Sequence, residues 1–430
     1  MTGRKAFCMT EHVPMRDLPD AAESQSAAVP ALHGLVVADF SRVIAGPVCP
    51  QTLADLGADV VKIENPRGGD ETRSFRHPRA GGNVSAFLAY NRGKRSVAID
   101  LGKPEGRAVA LDIVSRADVL VENFRPGVMA RLGLDHATVA AIKPRLVYCS
   151  ISAYGRTGEF SDRAGYDPVM QAETGIMTMN GLPEHEPVRT NLPFVDMSTG
   201  MLATNMILAA LMARQVSGRG QQVDVVLYDT AVMLTTYYGH NYLISGEEQV
   251  RYGHAPLGNV PIGNFRASDG SFYLSVGNDR MFGLLCRIIG RDAMASDPAY
   301  ATVAARAESR EALIDELQAI FSTRSREAWV TLLKGAGLPA GPVRSIFEAY
   351  RSPEIRARGL LSRIRHPTAG EVPNIAPPYA MQDTPIVAPS APPLLGEHTE
   401  EVLRDMLGYD ADRLRELETA GAIPPRQTGG

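Results

Sequence analysis

From Leu32 onward, short apolar runs alternate with amphipathic stretches. Residues 34–40 form a short Val-rich apolar run with an acid, Asp39, at its end before Phe40, which predicts a buried strand. Residues 41–47 read as a turn, with Pro47 placed to open a helix over 48–56 that Gly57 stops. Residues 59–64 are a second strand, completing a βαβ unit. The alternation repeats, with strands over 96–100, 118–122 and 146–152 and helices over 104–115 and 135–143. Continuous apolar strands spaced by helices indicate a doubly wound parallel α/β sheet. Residues 197–216 read as a long buried helix, because Ser198, Thr199, Asn205 and Arg214 interrupt its apolar face. A turn over 217–220, a strand over 222–227 and a helix from Asp229 follow.

The texture changes near Gly253. Gly258, Pro261, Gly263, Asp269 and Gly270 punctuate short strands such as 271–276, and helices over 280–289, 310–321 and 326–334 follow. This pattern is a smaller α+β domain. Eight prolines between His366 and Pro393 predict an extended connection, and 400–407 reads as the final helix.

The chain has 430 residues and a formal net charge of -4. At about 150 residues per domain the length suggests two or three domains. A hydrophobic fraction of 44% supports a substantial core. The near-neutral balance argues against a nucleic-acid partner. Four scattered Cys form no zinc or disulfide pattern, which suits a reducing, cytoplasmic setting. No uninterrupted apolar stretch reaches about 18 residues, so no membrane span is expected. Residues 1–30 have no apolar core of a signal peptide and read as a poorly ordered tail.

In a doubly wound sheet, ligands bind beyond the carboxyl ends of the strands. That rule selects residues 41–47, Glu64-Asn65 and Asn123-Phe124-Arg125. The first loop is neither G-x-G-x-x-G nor a P-loop, although Glu64 stands where a ribose-binding acid would. Arg73, Arg76, Arg79, Arg92, Lys94 and Arg95 could draw an anionic ligand or simply cover a solvated loop. Asp196, between an apolar run and the long helix, reads as an N-cap, as a carboxylate nucleophile, or as both. Tyr166-Asp167, before Pro168, is a turn or a second polar pair. The nine His show no H-x-x-x-H pairing and G-x-S-x-G is absent, so no metal site or esterase is indicated.

Five stretches resemble the family III CoA-transferases (CaiB/BaiF type). They are Asp39-Phe-Ser-Arg-Val-Ile-Ala-Gly-Pro47; residues 53–64 with Gly69-Asp70; Asn91-Arg-Gly-Lys-Arg-Ser96 with Asp100-Leu101; Ala117-Asp-Val-Leu-Val-Glu-Asn-Phe-Arg-Pro-Gly127; and Arg163-Ala-Gly-Tyr-Asp167 followed by Val195-Asp-Met-Ser-Thr-Gly200. Leu394-Leu-Gly-Glu-His-Thr399 adds to the likeness, which runs from about Leu32 to about Gly421. The resemblance implies a Rossmann-like large domain built from both chain ends (31–228 and 346–430), a linker helix with a small α+β domain (229–345), and an interlocked homodimer.

It also implies a reaction. Asp196 becomes the nucleophile, forming first an aspartyl acyl anhydride and then an aspartyl-CoA thioester. Backbone N–H groups near it are expected to hold the oxyanion. Coenzyme A and acyl-CoA are substrates, with no tightly bound cofactor. Positions carried over as CoA contacts are Arg42, Ile44, Ala45, Asn65, Ile99, Asn123, Phe124, Arg125, Arg131, Tyr166 and Asp167, and residues Gly258, Asn259 and Val260 fall on a substrate loop. Asn65 departs from an Arg common in relatives. The alternative on the same fold is a 2-methylacyl-CoA racemase, but its proton-transferring His is replaced here by Tyr166, a poor acid–base group near neutrality. The texture is most similar to the succinate–hydroxymethylglutarate type, which implies succinyl-CoA as donor and a dicarboxylic acceptor, with Arg42 as partner of the second carboxylate.

Overall fold

The computed structural model describes residues 15–21, 28–251, 253 and 258–425. By internal contacts the chain forms two units. The first comprises Met1–Thr174, Asn191–Tyr237 and Pro353–Gly430, and the second Gly175–Thr190 and Tyr238–Ser352. The linear pattern does not suggest that 175–190 groups with the second unit, because that grouping is a matter of contacts distant in sequence.

The first unit is built on a six-stranded parallel sheet. Its strands are β1 (Val36–Asp39), β2 (Asp59–Glu64), β3 (Lys94–Ala98), β4 (Val119–Glu122), β5 (Val147–Ser152) and β6 (Gln222–Val226). The spatial order is β3-β2-β1-β4-β5-β6, so the winding direction reverses between β1 and β4. The helices that matter for the site are α1 (Ala45–Asp55), α2 (Pro104–Arg116), α3 (His136–Ile142), α4 (Asp167–Glu173) and α5 (Phe194–Ser217).

One core cluster joins Ala38, Val61, Leu120 and Tyr148 of the sheet to Val109, Ile113 and Val114 of α2 and Val139 of α3. Leu403, Leu414 and Leu417 from the chain's end complete it. α1 packs on α5 at very close range: a side chain at Gly200 would meet the Ala45 carbonyl 2.7 Å away. Of α5, Val195, Ala203, Ile207, Ala210 and Leu211 are buried. The helix is long and apolar enough by length and composition to cross a membrane, as core helices often are.

Three expectations change. α1 starts at Ala45, earlier than Pro47 suggests, and tolerates Pro47 because a first-turn residue needs no N–H partner. The Pro-rich connection is interrupted at its start by a hairpin, Leu361–His366 against Gly370–Ile375, with Pro373 opposite Arg363 in a two-stranded sheet. Residues 400–407 are not the last helix. Ala411–Thr419 follows, capped by Asp410, and its charged outer face hides the two leucines it buries.

The tail expectation is corrected in part. Asp20 pairs with Arg363 through a β-bridge and an ion pair of 2.7 Å, so the stretch 15–21 is tied to the hairpin. Residues 1–14 and 22–27 of that expectation lie outside the described residues, as do 252 and 254–257 of the segment before Gly258.

The second unit has a three-stranded antiparallel sheet formed by Ile262–Arg266, Ser271–Ser275 and Ala340–Pro342. Helices Asp279–Ile288, Arg310–Phe321 and Arg326–Gly335 cover it. Its core is aromatic: Phe321 meets Trp329 edge-on at 5.1 Å, and Phe265 and Phe272 complete the group. Val260 is buried there, and its carbonyl accepts a hydrogen bond from Arg306 Nε at 2.8 Å.

Candidate active site

The reversal between β1 and β4 leaves a crevice beyond their carboxyl ends, which is where ligands bind in such sheets. A cavity of about 460 Å³ opens there, lined by residues 42–45 after β1, 123–126 after β4, 151–153 at the end of β5, residues 161 and 163–166, and Asp196. A smaller cavity of about 170 Å³ lies over β2, lined by Asn65, Ile99, Leu101, Gly102 and Leu132. Arg42 and Phe124 line both.

The loop after β1 is held by buried and half-buried polar groups. Asp39 Oδ1 accepts from the Ser41 N–H and hydroxyl. Lys62 Nζ donates to the Ser41 carbonyl at 2.7 Å and to Asp70 Oδ2 at 3.0 Å. The Asn123 amide clamps Arg42, accepting its N–H at 2.8 Å and donating to its carbonyl at 2.7 Å. The Val43 N–H reaches Asp70 Oδ1 at 3.2 Å while Val43 sits at φ 70°. A β-branched residue in the left-handed region is strained, and these contacts hold it there. A side chain at Gly46 would meet Ser41 Cβ at 2.4 Å, so only glycine lets the helix start this close to the loop.

The charges beneath the loop are fully buried. Lys94 Nζ meets Asp39 Oδ2 at 3.0 Å and also donates to the Pro47 carbonyl. Burial would raise the Asp39 carboxyl, but the Lys94 and Lys62 ammonium groups outweigh it and hold it below the usual range. Lys94 itself is pulled down to about 8 by burial, against the attraction of Asp39.

Asp196 does not cap α5. The helix begins at Phe194, so Asp196 lies within its first turn. The cap comes from elsewhere in the chain: Asp167 Oδ2 accepts the Val195 N–H at 2.8 Å and the Asp196 N–H at 3.1 Å, and Gln171 donates to Asp167 Oδ1. The expectation that N–H groups beside Asp196 serve an oxyanion is corrected for these two, which Asp167 occupies. The Asp196 carboxylate has no hydrogen-bond or ion-pair partner among the described residues. Burial, with the Asp167 charge added, raises its pKa to about 7.

That value carries a prediction. Between about pH 4 and 7 the folded protein holds a proton on Asp196 that the unfolded chain has released. The Asp196 contribution to stability therefore falls as pH rises across this window, and unfolding measured in urea from pH 5 to 8 should show a decline that Asp196→Asn removes.

The remaining positions divide. Arg42, Ile44, Ala45, Asn123, Phe124, Arg125, Tyr166 and Asp196 share the larger cavity; Asn65 and Ile99 line the smaller. Arg131 is exposed on the short helix Val128–Leu132 and lines neither. Asp167 is buried beneath α5, outside the lining of both cavities. Gly258, Asn259 and Val260 belong to the second unit.

Glu64 cannot act as a ribose-binding acid, because Arg73, Ser96 and the Asp70 N–H consume both its oxygens. The cation-rich run is also reassigned. Arg73 pairs with Glu64 at 2.7 Å, Arg92 with Asp55 at 2.6 Å, Lys94 with Asp39 and Arg95 with Asp59, leaving only Arg76 and Arg79 as the solvated part. Glu71, Arg163 and the Lys62–Asp70 pair were not singled out as site residues from sequence. Lysines inside two-face-buried strands were the available signal.

The CoA-transferase family III model matches residues 32–399. A succinyl-CoA:glutarate CoA-transferase of Mus musculus is 34% identical over 406 residues, 94% of this chain and 93% of its own length. A succinate–glutarate CoA-transferase of Agrobacterium fabrum is 38% identical over 387 residues, 88% of this chain and 96% of its own. The crystal structure of a CaiB/BaiF family protein from Brucella suis superposes with a TM-score of 0.80 at 36% identity, covering 88% of this chain and 100% of that one. Sequence and fold agree: the chain belongs to the family III CoA-transferases.

Proposed function

We propose that the protein moves CoA from succinyl-CoA to a dicarboxylic acid, with Asp196 as the covalent carrier. The observation that carries this reading is an unpaired, buried carboxylate at a ligand-sized cavity, a costly arrangement that structural roles do not require. The relatives named for transfer between succinate and glutarate support the choice of substrates.

Each step balances. The Asp196 carboxylate attacks the thioester carbonyl and expels CoA thiolate, leaving a mixed anhydride. The thiolate attacks the aspartyl carbonyl, releasing the donor acid as carboxylate and leaving an aspartyl-CoA thioester. The acceptor carboxylate attacks that thioester, regenerating an anhydride and thiolate. The thiolate then attacks the acceptor's carbonyl and frees Asp196. Acylated carboxylates retain the thioester's energy, provided water is excluded. The nucleophile must be ionised, so the raised pKa leaves only part of the enzyme active near neutrality.

The nucleotide end of CoA is assigned to the smaller cavity at Asn65 and Ile99, and the thioester to the larger one at Ile44 and Ala45. Asn123 clamps Arg42 from the lining of the larger cavity, whereas Asp167, outside both cavities, acts by capping α5 and positions the site without touching substrate. Arg42 receives the acid's second carboxylate. A second copy of the chain covers the exposed apolar side chains Met201, Met212 and Val216 of α5, giving a homodimer.

The test is peptide mass spectrometry after incubation with succinyl-CoA. A CoA adduct on the Asp196 peptide, converted by hydroxylamine to a hydroxamate, is the expected result. An unmodified Asp196 in every digest overturns the reading. Rapid α-proton exchange of a branched acyl-CoA in deuterated water, with no acceptor acid present, would favour the racemase instead.

A further inference from the structure

We propose that Glu71 is an internal stand-in for the substrate's second carboxylate and thereby sets the acid preference of the site. The proposal rests on Arg42 as the receptor of that carboxylate. Arg42 Nη1 donates to Glu71 Oε1 at 2.8 Å, and its Cζ lies 4.3 Å from the centre of the Phe124 ring. Its backbone is fixed on both sides by Asn123. A guanidinium presents five donors in a rigid fork. One is spent on Glu71, while Nε and Nη2 have no partner among the described residues.

Arg42 and Glu71 both line the cavity that holds Asp196, and both side chains are partly open to solvent, at 40% and 48%. An ion pair so exposed is weak and exchanges readily. The other guanidinium groups at this cavity are placed differently. Arg163 is exposed and stacked on Phe160 at 4.2 Å, and Arg125 is exposed. Arg42 alone joins a fixed backbone, an aromatic floor and a carboxylate already in place.

The consequence follows from charge. With no acid bound, Glu71 pairs the arginine. An entering dicarboxylate, one end directed to Asp196, brings its distal carboxylate to the same fork and meets repulsion from Glu71. Glu71 thus lowers the affinity for dicarboxylates and reclaims the arginine when the product leaves. An acid with an apolar distal end competes for nothing and is indifferent to it.

The experiment compares glutarate with pentanoate as acceptors, with succinyl-CoA saturating for each variant. Glu71→Gln should lower the KM for glutarate by roughly two- to fivefold, the size an exposed ion pair supports. The pentanoate-to-glutarate KM ratio should rise with it, the change lying in KM and not in kcat. A merely structural Glu71 would raise KM or lower kcat for both acids alike. Arg42→Ala should raise the glutarate KM about tenfold or more, and the gain from Glu71→Gln should shrink in that background, because the fork for which the two carboxylates compete is gone. If Arg42→Ala collapses the ratio while Glu71→Gln leaves it unchanged or lowers it, the role of Glu71 is overturned and that of Arg42 stands. If Arg42→Ala spares the ratio, the Arg42 assignment falls and the Glu71 proposal with it.

Discussion

Asp196→Asn is expected to abolish CoA transfer, by about 10³-fold or more, while making the protein more stable above pH 7. The amide keeps the shape of the side chain but cannot form an anhydride. Stability moves the other way because the wild-type carboxylate is buried, unpaired and close to Asp167. The Val195 and Asp196 N–H bonds to Asp167 are backbone contacts and survive the change. Single-turnover formation of a new acyl-CoA and the thermal midpoint at pH 8 read the two effects. Turnover within roughly tenfold of the parent would remove Asp196 from the chemistry, and a lowered midpoint would show that burial is not what raises its pKa.

The second large effect is on the buried frame. Lys62→Met should destabilise the fold by about 3–5 kcal/mol, because it leaves Asp70 charged in the interior without its ion-pair partner. It also frees the Ser41 carbonyl, so the KM for the acyl-CoA donor should rise along with the loss of stability. Pairing it with Asp70→Asn should recover part of the loss, since an absent pair costs less than a broken one. Urea unfolding of the two variants checks this: equal midpoints for Lys62→Met and the parent would mean that the pair holds nothing in place.

These two predictions come from features of very different visibility. The strands were readable because a sheet buried on both faces favours runs of apolar residues, as in Val60-Val61 and residues 119–121. The cavity's position followed from the rule about strand ends once the alternation was seen. Asp196 stood out by its place before a long helix, though its role as a cap did not survive. The capping carboxylate is Asp167, twenty-nine residues earlier in the chain. The charged run 73–95 read as an anion-attracting site or a solvated loop because composition cannot show that Asp39, Asp55 and Glu64 wait opposite its cations. The helix Ala411–Thr419 was missed for a similar reason, its two core leucines being outnumbered by charges.

Local order in the chain therefore settled the strand–helix alternation of the parallel sheet and the family to which the protein belongs, because backbone geometry and periodic burial act over a few residues. Which carboxylate meets which cation was settled only when the sheet brought β1, β2 and β3 side by side. Asp39 and Lys94, fifty-five positions apart, share one dry pocket. The unpaired state of Asp196 has the same origin: among the described residues the fold brings no cation or donor to its carboxylate, and no run of letters records who is left without a partner.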